Sequence, residues 1–333
     1  MSTLGNTVLT LIDWAKRIDP SGKVPEIVEL LAQTNEILMD MLFMEGNLPT
    51  GHRTTVRTGL PSVAWRLLNN GVTPSKSRTA QIDEACGILE AWSEVDVALA
   101  KLNGNEAAFR LSEAQAFIEA MNIAMATALF YGNSAVNPEQ FTGLSPRYSS
   151  KTATNGSHVV DCGGISSVNS SIWLVSWGAQ TVHGIFPKGS QAGLQHLDHG
   201  EQTVNVAAGV GGSRMRAYQD QWIWNVGIAL KDWRYVARGA NIDITNLTSQ
   251  VSQADLVKNM IKMTHRMPFI KLGKPVFYMN RTTFEFLDIQ RRDNVAAGGQ
   301  LNYEVQDGIR TPYFRGIPVR ICDALLQTEA QVS

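Results

Sequence analysis

Apolar positions near the start of the chain recur at helical spacing. Val8, Leu11, Ile12, Ala15 and Ile18 fit one amphipathic helix over 7–18. Asp19-Pro20-Ser21-Gly22 breaks it, and Pro25 suits the first turn of a second helix that carries Ile27, Leu30, Leu31, Thr34, Leu38 and Met41. The pattern then turns β-like. His52–Thr58 and Val63–Leu68 flank the turn signal Gly59-Leu60-Pro61-Ser62, which predicts a long hairpin. A two-stranded ribbon alone is marginal in water, so this one must lie on its own subunit or on another chain.

The strongest helix signal is 112–131. Ser112-Glu113-Ala114-Gln115 has the form of a capping box, Phe117, Met121, Met125 and Leu129 recur every four residues, and Gly132 is placed to end the helix. Residues 138–213 read as loop-rich, with a strand region at Ser171–Ile185. Residues 214–238 alternate apolar and mixed positions through Trp222, Trp224, Val226, Ile228 and Leu230, as one long strand does. Asp255–Met267 and Thr282–Arg291 read as helices, Pro275–Met279, Tyr303–Val305 and Ile317–Ile321 as strands, and Ala296–Gly299 as a loop. Strands and helices mix without βαβ alternation or internal repeats, so the expected class is α+β.

Composition narrows the function. The 333 residues carry 29 Lys+Arg against 30 Asp+Glu, a net charge of −1, which argues against a dedicated nucleic-acid binder. Charged residues are only 18%, as suits a protein with much surface hidden by partners. The three cysteines, Cys86, Cys162 and Cys322, form no CxxC pair and read as reduced thiols. The N-terminal segment lacks the form of a signal peptide, and no apolar run reaches the length of a membrane span.

Charge is segregated. From Gly46 to Ile82 there is no acid, while Arg53, Arg57, Arg66, Lys76 and Arg78 give +5. From Asp83 to Glu119 eight acids, among them Glu90, Glu94, Glu113 and Glu119, face only Lys101 and Arg110. A basic ribbon beside an acidic segment suggests complementary packing, within one subunit or between two.

Candidate chemistry is thin. His196-Leu197-Asp198-His199, with His183 nearby in sequence, offers ligand types for a metal or an acid–base pair, and carries the alternative reading of a metal-dependent hydrolase. Its spacing matches no zincin pattern, and it reads as a Gly-flanked loop. Gly209–Ser213 lacks the lysine of a phosphate-binding loop, no GxSxG elbow occurs, and the Trp/Tyr group at 218–235 reads as core or interface. No catalytic, cofactor-binding or metal residues are expected.

Several stretches together resemble the major capsid proteins of tailed bacteriophages, particularly of short-tailed phages of the epsilon-fifteen and Bordetella-phage kind. They are Asp13–Arg17, Glu45–Pro61 (EGNLPTGHRTTVRTGLP), Phe109–Asn133 (FRLSEAQAFIEAMNIAMATALFYGN), Pro138–Leu144 (PEQFTGL) and Phe314–Leu325 (FRGIPVRICDAL). The resemblance covers most of the chain and contributes little over 150–213.

The resemblance implies the Hong Kong 97-type capsid fold. It implies an N-terminal helical arm (1–45), an extended β-hairpin loop (46–80, its limb about 48–72), a peripheral domain with a spine helix (81–150, helix about 112–131), a variable region (151–213) and the remaining peripheral and axial elements (214–333). It further implies a homo-oligomeric shell of hexamers and pentamers around packaged double-stranded DNA. Portal, decoration and scaffolding proteins are possible partners; the location is the virion after synthesis in the host cytoplasm. A cellular nanocompartment shell of the same fold differs only in its cargo. No Lys–Asn crosslink pair is assigned. The expected intersubunit contacts run from Arg53, Arg57 and Arg66 to Glu90, Glu94, Glu113 and Glu119 of a neighbouring copy.

Overall fold

The structure is a computed structural model, and it describes residues 33–102, 106–205, 214–293, 301–306 and 309–333. The first expected helix, most of the second, and the segments Gly209–Ser213 and Ala296–Gly299 lie outside these residues. Along the chain come α1 (Ile37–Asp40), β1 (Phe43–Glu45), β2 (Gly51–Gly59), β3 (Arg78–Ala85), β4 (Gly87–Asp96), α2 (Val97–Ala100), α3 (Glu106–Tyr131) and α4 (Leu144–Arg147). They are followed by β5 (Val159–Asp161), β6 (Asn169–Trp177), β7 (Val182–Phe186), β8 (Leu194–Asn205), β9 (Arg214–Leu230), β10 (Val236–Asp243), α5 (Ile244–Ser249) and α6 (Leu256–Arg266). The last elements are β11 (Lys274–Met279), α7 (Arg281–Asp293), β12 (Leu301–Gln306), β13 (Ile309–Phe314) and β14 (Ile317–Ile321). The class is α+β.

The chain divides into two compact units, each assembled from separate stretches. The larger comprises residues 34–87, 126–192 and 226–333. Its sheet is mixed: β11 lies between β14, parallel to it, and β6, antiparallel to it, while β10 runs antiparallel to β6 and parallel to β5. All nine residues of β6 are buried, so Ile172 and Leu174 face one layer while Trp173 and Val175 face the other. Helices α5, α6 and α7 supply Leu247, Met260, Met263 and Leu287 to the core over Ile172, Leu174 and Phe277. Burying each such side chain contributes about 1.5–3 kcal/mol.

Chain residues near the end close the opposite side of this unit. Glu329 is buried and receives Arg238 at 2.9 Å, together with the hydroxyls of Ser171 and Tyr131. Asn241 holds Val332 from both sides, donating to its carbonyl at 2.9 Å and accepting its N–H at 2.8 Å. Arg238 also stacks over Trp173, 5.1 Å from the ring centre.

The smaller unit comprises residues 88–125 and 193–225 where described. Strand β9 is central, paired with β8 in an antiparallel ribbon and with β4 on its other edge. Helix α3 covers one face: Phe117 stacks on Trp222 with ring centres 5.1 Å apart, and Phe109 packs with Val95 and Tyr218.

Besides the hairpin and the second expected helix, of which only the turn Ile37–Asp40 is helical among the described residues while Asn35 bridges Cys322, four expectations need correction. Helix α3 begins at Glu106, not Ser112, whose hydroxyl turns back to the Phe109 carbonyl (2.9 Å) inside the helix instead of capping it. The single strand expected over 214–238 is two, because Asp232 accepts the Arg234 N–H (3.0 Å) and sets a one-turn 3-10 helix at Trp233–Tyr235. Ser171–Ile185 likewise holds two strands, β6 and β7, separated by a turn in which Thr181 donates to the Ser176 carbonyl. Residues 194–205, read as part of a loop-rich region, form the long strand β8.

Candidate assembly interface

The hairpin pairs β2 with β3 and not with Val63–Leu68. Its register sets His52 opposite Glu84, Arg53 opposite Asp83 and Thr55 opposite Gln81. Residues 60–77 form the tip, and all of them are exposed. Val63–Leu68 has strand-like composition, but among the described residues no strand pairs with it and its side chains are exposed. Asn69 takes the left-handed conformation at φ 65° and turns the tip, with the Asn70 N–H on the Leu67 carbonyl at 3.2 Å.

The tip is apolar. Leu60, Val63, Trp65, Leu67 and Leu68 all stand in solvent, Val63 and Leu68 each 92% exposed and Trp65 entirely so. A contiguous stretch of this kind marks an interaction surface. Burying all five is worth roughly 10 kcal/mol before ordering costs.

The root is fixed in the larger unit. Arg147 donates from both terminal nitrogens to the Glu84 carboxylate, 2.6 Å each, and Glu84 is almost fully buried. Gly51, opposite Ala85, must be a glycine, since a Cβ there would lie 1.9 Å from the Glu84 carbonyl oxygen. The His52 ring meets buried His183 of β7 edge-on at 5.8 Å. Burial, with Lys231 and His52 adding positive charge nearby, pushes His183 down to about 4; burial and Lys231 lower His52 as well.

The basic residues differ in what they do. Arg53 is engaged by Asp83 of its own hairpin, through two hydrogen bonds of 2.6 and 2.7 Å. Arg57 and Arg66 are exposed and have no ion pair among the described residues.

The acidic positions fall on two sides of the smaller unit. Glu90 and Glu94 stand on the sheet face turned away from α3. Glu90 accepts from Trp92 Nε1 (2.5 Å) and Gln221 Nε2 (2.6 Å), and Glu94 from Gln219 Nε2 (2.8 Å). His199 bonds Gln221 at 2.8 Å and stacks on Trp92 at 5.2 Å. Ile88, Trp92 and Leu197 are exposed on this face, and no described element of the smaller unit covers it. Glu113 and Glu119 instead lie on α3, where Glu119 accepts the Gln33 N–H at 2.9 Å.

The histidine cluster is dispersed. His183 is buried in β7, whereas His196, Asp198 and His199 belong to β8. Asp198 pairs with Arg110 (2.9 Å), His196 stacks on Trp222 and bonds Asp220 (2.9 Å), and Arg110 also reaches Asp220 (2.9 Å). These side chains knit β8 and β9 to α3. Among the described residues no three His, Cys, Asp or Glu gather closely enough to hold a metal ion, and the hydrolase reading gains no support. The cysteines are free, with Cys86 pushed up to about 11 by burial and Cys162 and Cys322 to about 12.

Comparison with known proteins places the chain in a family. The model of the family "Major capsid protein GP7" matches residues 19–333. The chain belongs to that family. This capsid protein is also similar to a chain in the near-atomic-resolution structure of bacteriophage Epsilon15, with 34% identity over 100% of this chain and 99% of that one and a TM-score of 0.79. A chain from the capsid of a native GTA particle is 10% identical over 68% of this chain and 95% of its own (TM-score 0.44), and one from the capsid of Myoviridae phage XM1 is 11% identical over 65% and 95% (TM-score 0.42). No curated protein matches. The capsid protein therefore has a Hong Kong 97-type fold and is a structural protein that assembles with copies of itself into a phage shell.

Proposed function

We propose that copies of the capsid protein form hexamers and pentamers that close around packaged double-stranded DNA, and that the hairpin of one copy lies on the exposed sheet face of the next. The observation that carries this reading is the tip at residues 60–77, whose apolar side chains are all exposed and buried by none of the described residues. The opposing surface is matched in chemistry: Ile88, Trp92 and Leu197 for the apolar tip, Glu90 and Glu94 for Arg57 and Arg66. Arg53 supports the hairpin itself. Such a contact is heterologous, so repetition around an axis closes a ring, and many modest contacts sum in a shell. The protein carries no catalytic step in this role. Portal, decoration and scaffolding proteins are the further partners it calls for, and the host cytoplasm is its place of synthesis.

The test reverses Arg57 and Arg66 to Glu. Electron microscopy of the R57E/R66E chain should show soluble subunits without shells, while its unfolding midpoint stays at the wild-type value. Normal shells from this variant would refute the contact. Adding Glu90→Lys and Glu94→Lys to the same chain should restore assembly.

A further inference from the structure

From Leu256 to Phe284 the chain carries Lys258, Lys262, Arg266, Lys271, Lys274 and Arg281, and no Asp or Glu. Helix α6 sorts the first three onto one side. Leu256, Asn259, Met260 and Met263 are buried in the larger unit's core, whereas Lys258, Lys262, His265 and Arg266 are exposed. Lys258, Lys262 and Arg266 are spaced by four residues, so they form a stripe about 12 Å long on the helix's outer face. Arg315, also exposed, comes from the turn between β13 and β14 and reaches His265 at 3.3 Å. Past the helix, Lys271 is exposed and Phe269 stands 58% exposed.

None of Lys258, Lys262, Arg266, Lys271 and Arg315 has an ion pair among the described residues. Arg281, by contrast, is paired with Asp323 at 2.9 Å. The acids nearest in the chain are Asp255, whose carboxylate caps α6 by accepting the Lys258 N–H (2.8 Å), and Glu285 and Asp288 on α7. A chain of net charge −1 thus concentrates uncompensated cations on one helix.

We infer that this stripe is where the capsid protein meets the phosphate backbone of double-stranded DNA, without reading its sequence. The inference rests on the packaged-DNA reading above and assigns it a surface. Lysine and arginine heads on flexible stems suit phosphate contact without base readout. A local basic face also reconciles DNA contact with a nearly neutral subunit: binding stays weak per copy and is multiplied only when copies are arrayed.

The experiment measures binding of a short duplex DNA of arbitrary sequence to the unassembled full-length chain by fluorescence anisotropy, as salt is raised. For wild type, log K should fall linearly with log salt. In K258Q/K262Q/R266Q the slope should shrink by about 2.7, at roughly 0.9 per lost phosphate contact, and each single variant by about one-third of that. Duplexes of different sequence should bind alike. Gln keeps the helix propensity of Lys and Arg, so the variant should melt with wild type. It should also still form shells under the electron microscope, with a lower ratio of nucleic acid to protein.

An unchanged slope, or no binding of duplex by wild type, overturns the inference. Loss of shells with an unchanged slope would instead make the stripe a contact with another copy. Failure of the hairpin reading would appear separately, as normal shells from R57E/R66E.

Discussion

Arg147 and Glu84 are 63 residues apart in the chain and meet through two parallel hydrogen bonds of 2.6 Å at the root of the hairpin. Arg147 spends its remaining capacity on the carbonyls of Gly143 (3.1 Å) and Thr142 (3.0 Å). The hairpin therefore leaves the larger unit from a fixed point. Arg147→Ala strands a buried carboxylate and should cost about 2–4 kcal/mol in denaturant unfolding. The double variant R147A/E84A should lose less than the sum of the singles, and both should reduce the yield of shells.

The tip should behave in the opposite way. Trp65→Ser with Leu68→Ser removes two exposed side chains, so unfolding of the unassembled chain should change by no more than about 0.5 kcal/mol. Shell formation, followed by light scattering, should fail. A large loss of subunit stability would mean that the tip is already covered within its own chain.

Acid should loosen the hairpin root. The folded-state value of His183 lies below its ordinary one, at about 4. Between that value and about 6.5 the unfolded chain binds more protons, so the neutral ring's contribution is complete above pH 6.5 and is lost as pH falls toward 4. Its ceiling is about 3 kcal/mol. The groups facing His183 are His52 and Lys231, both of which oppose a second positive charge. Melting temperatures at pH 7 and pH 4.5 should differ more for wild type than for His183→Leu; equal differences would remove His183 as the cause.

The buried pair of Arg238 and Glu329, 3% and 5% exposed, predicts a strong single-site effect. Glu329→Gln leaves Arg238 without its counter-charge and should destabilise by about 3–5 kcal/mol in urea unfolding. Replacing both, as in R238M/E329L, should recover much of that loss.

Some of this was legible in the sequence and some was not. The Phe117–Met121–Met125–Leu129 spacing marks α3 because its buried stripe faces apolar partners. The basic run 46–82 marks the ribbon. Its returning strand, Arg78–Ala85, escaped because neither face packs on its own subunit except at Glu84, and without a buried face a strand has no alternation to display. The tip misled for the converse reason: apolar side chains reserved for another molecule imitate a strand. Strand β8 was hidden by its polar outer residues. Arg147–Glu84 and Arg238–Glu329 join positions with no local pattern between them, and only the folded chain brings them together. The sequence pattern marks Asp255–Met267 only as a helix; its cationic stripe emerges once the buried positions Asn259, Met260 and Met263 are known.

The late position of Glu329 sets an order of events. Arg238 emerges from the ribosome 91 residues before the carboxylate that neutralises it. Until then the centre of the sheet holds an unmatched guanidinium beside Trp173, which disfavours a tight interior. The charge balance at this point of the sheet is therefore complete only once both residues are present in the same chain.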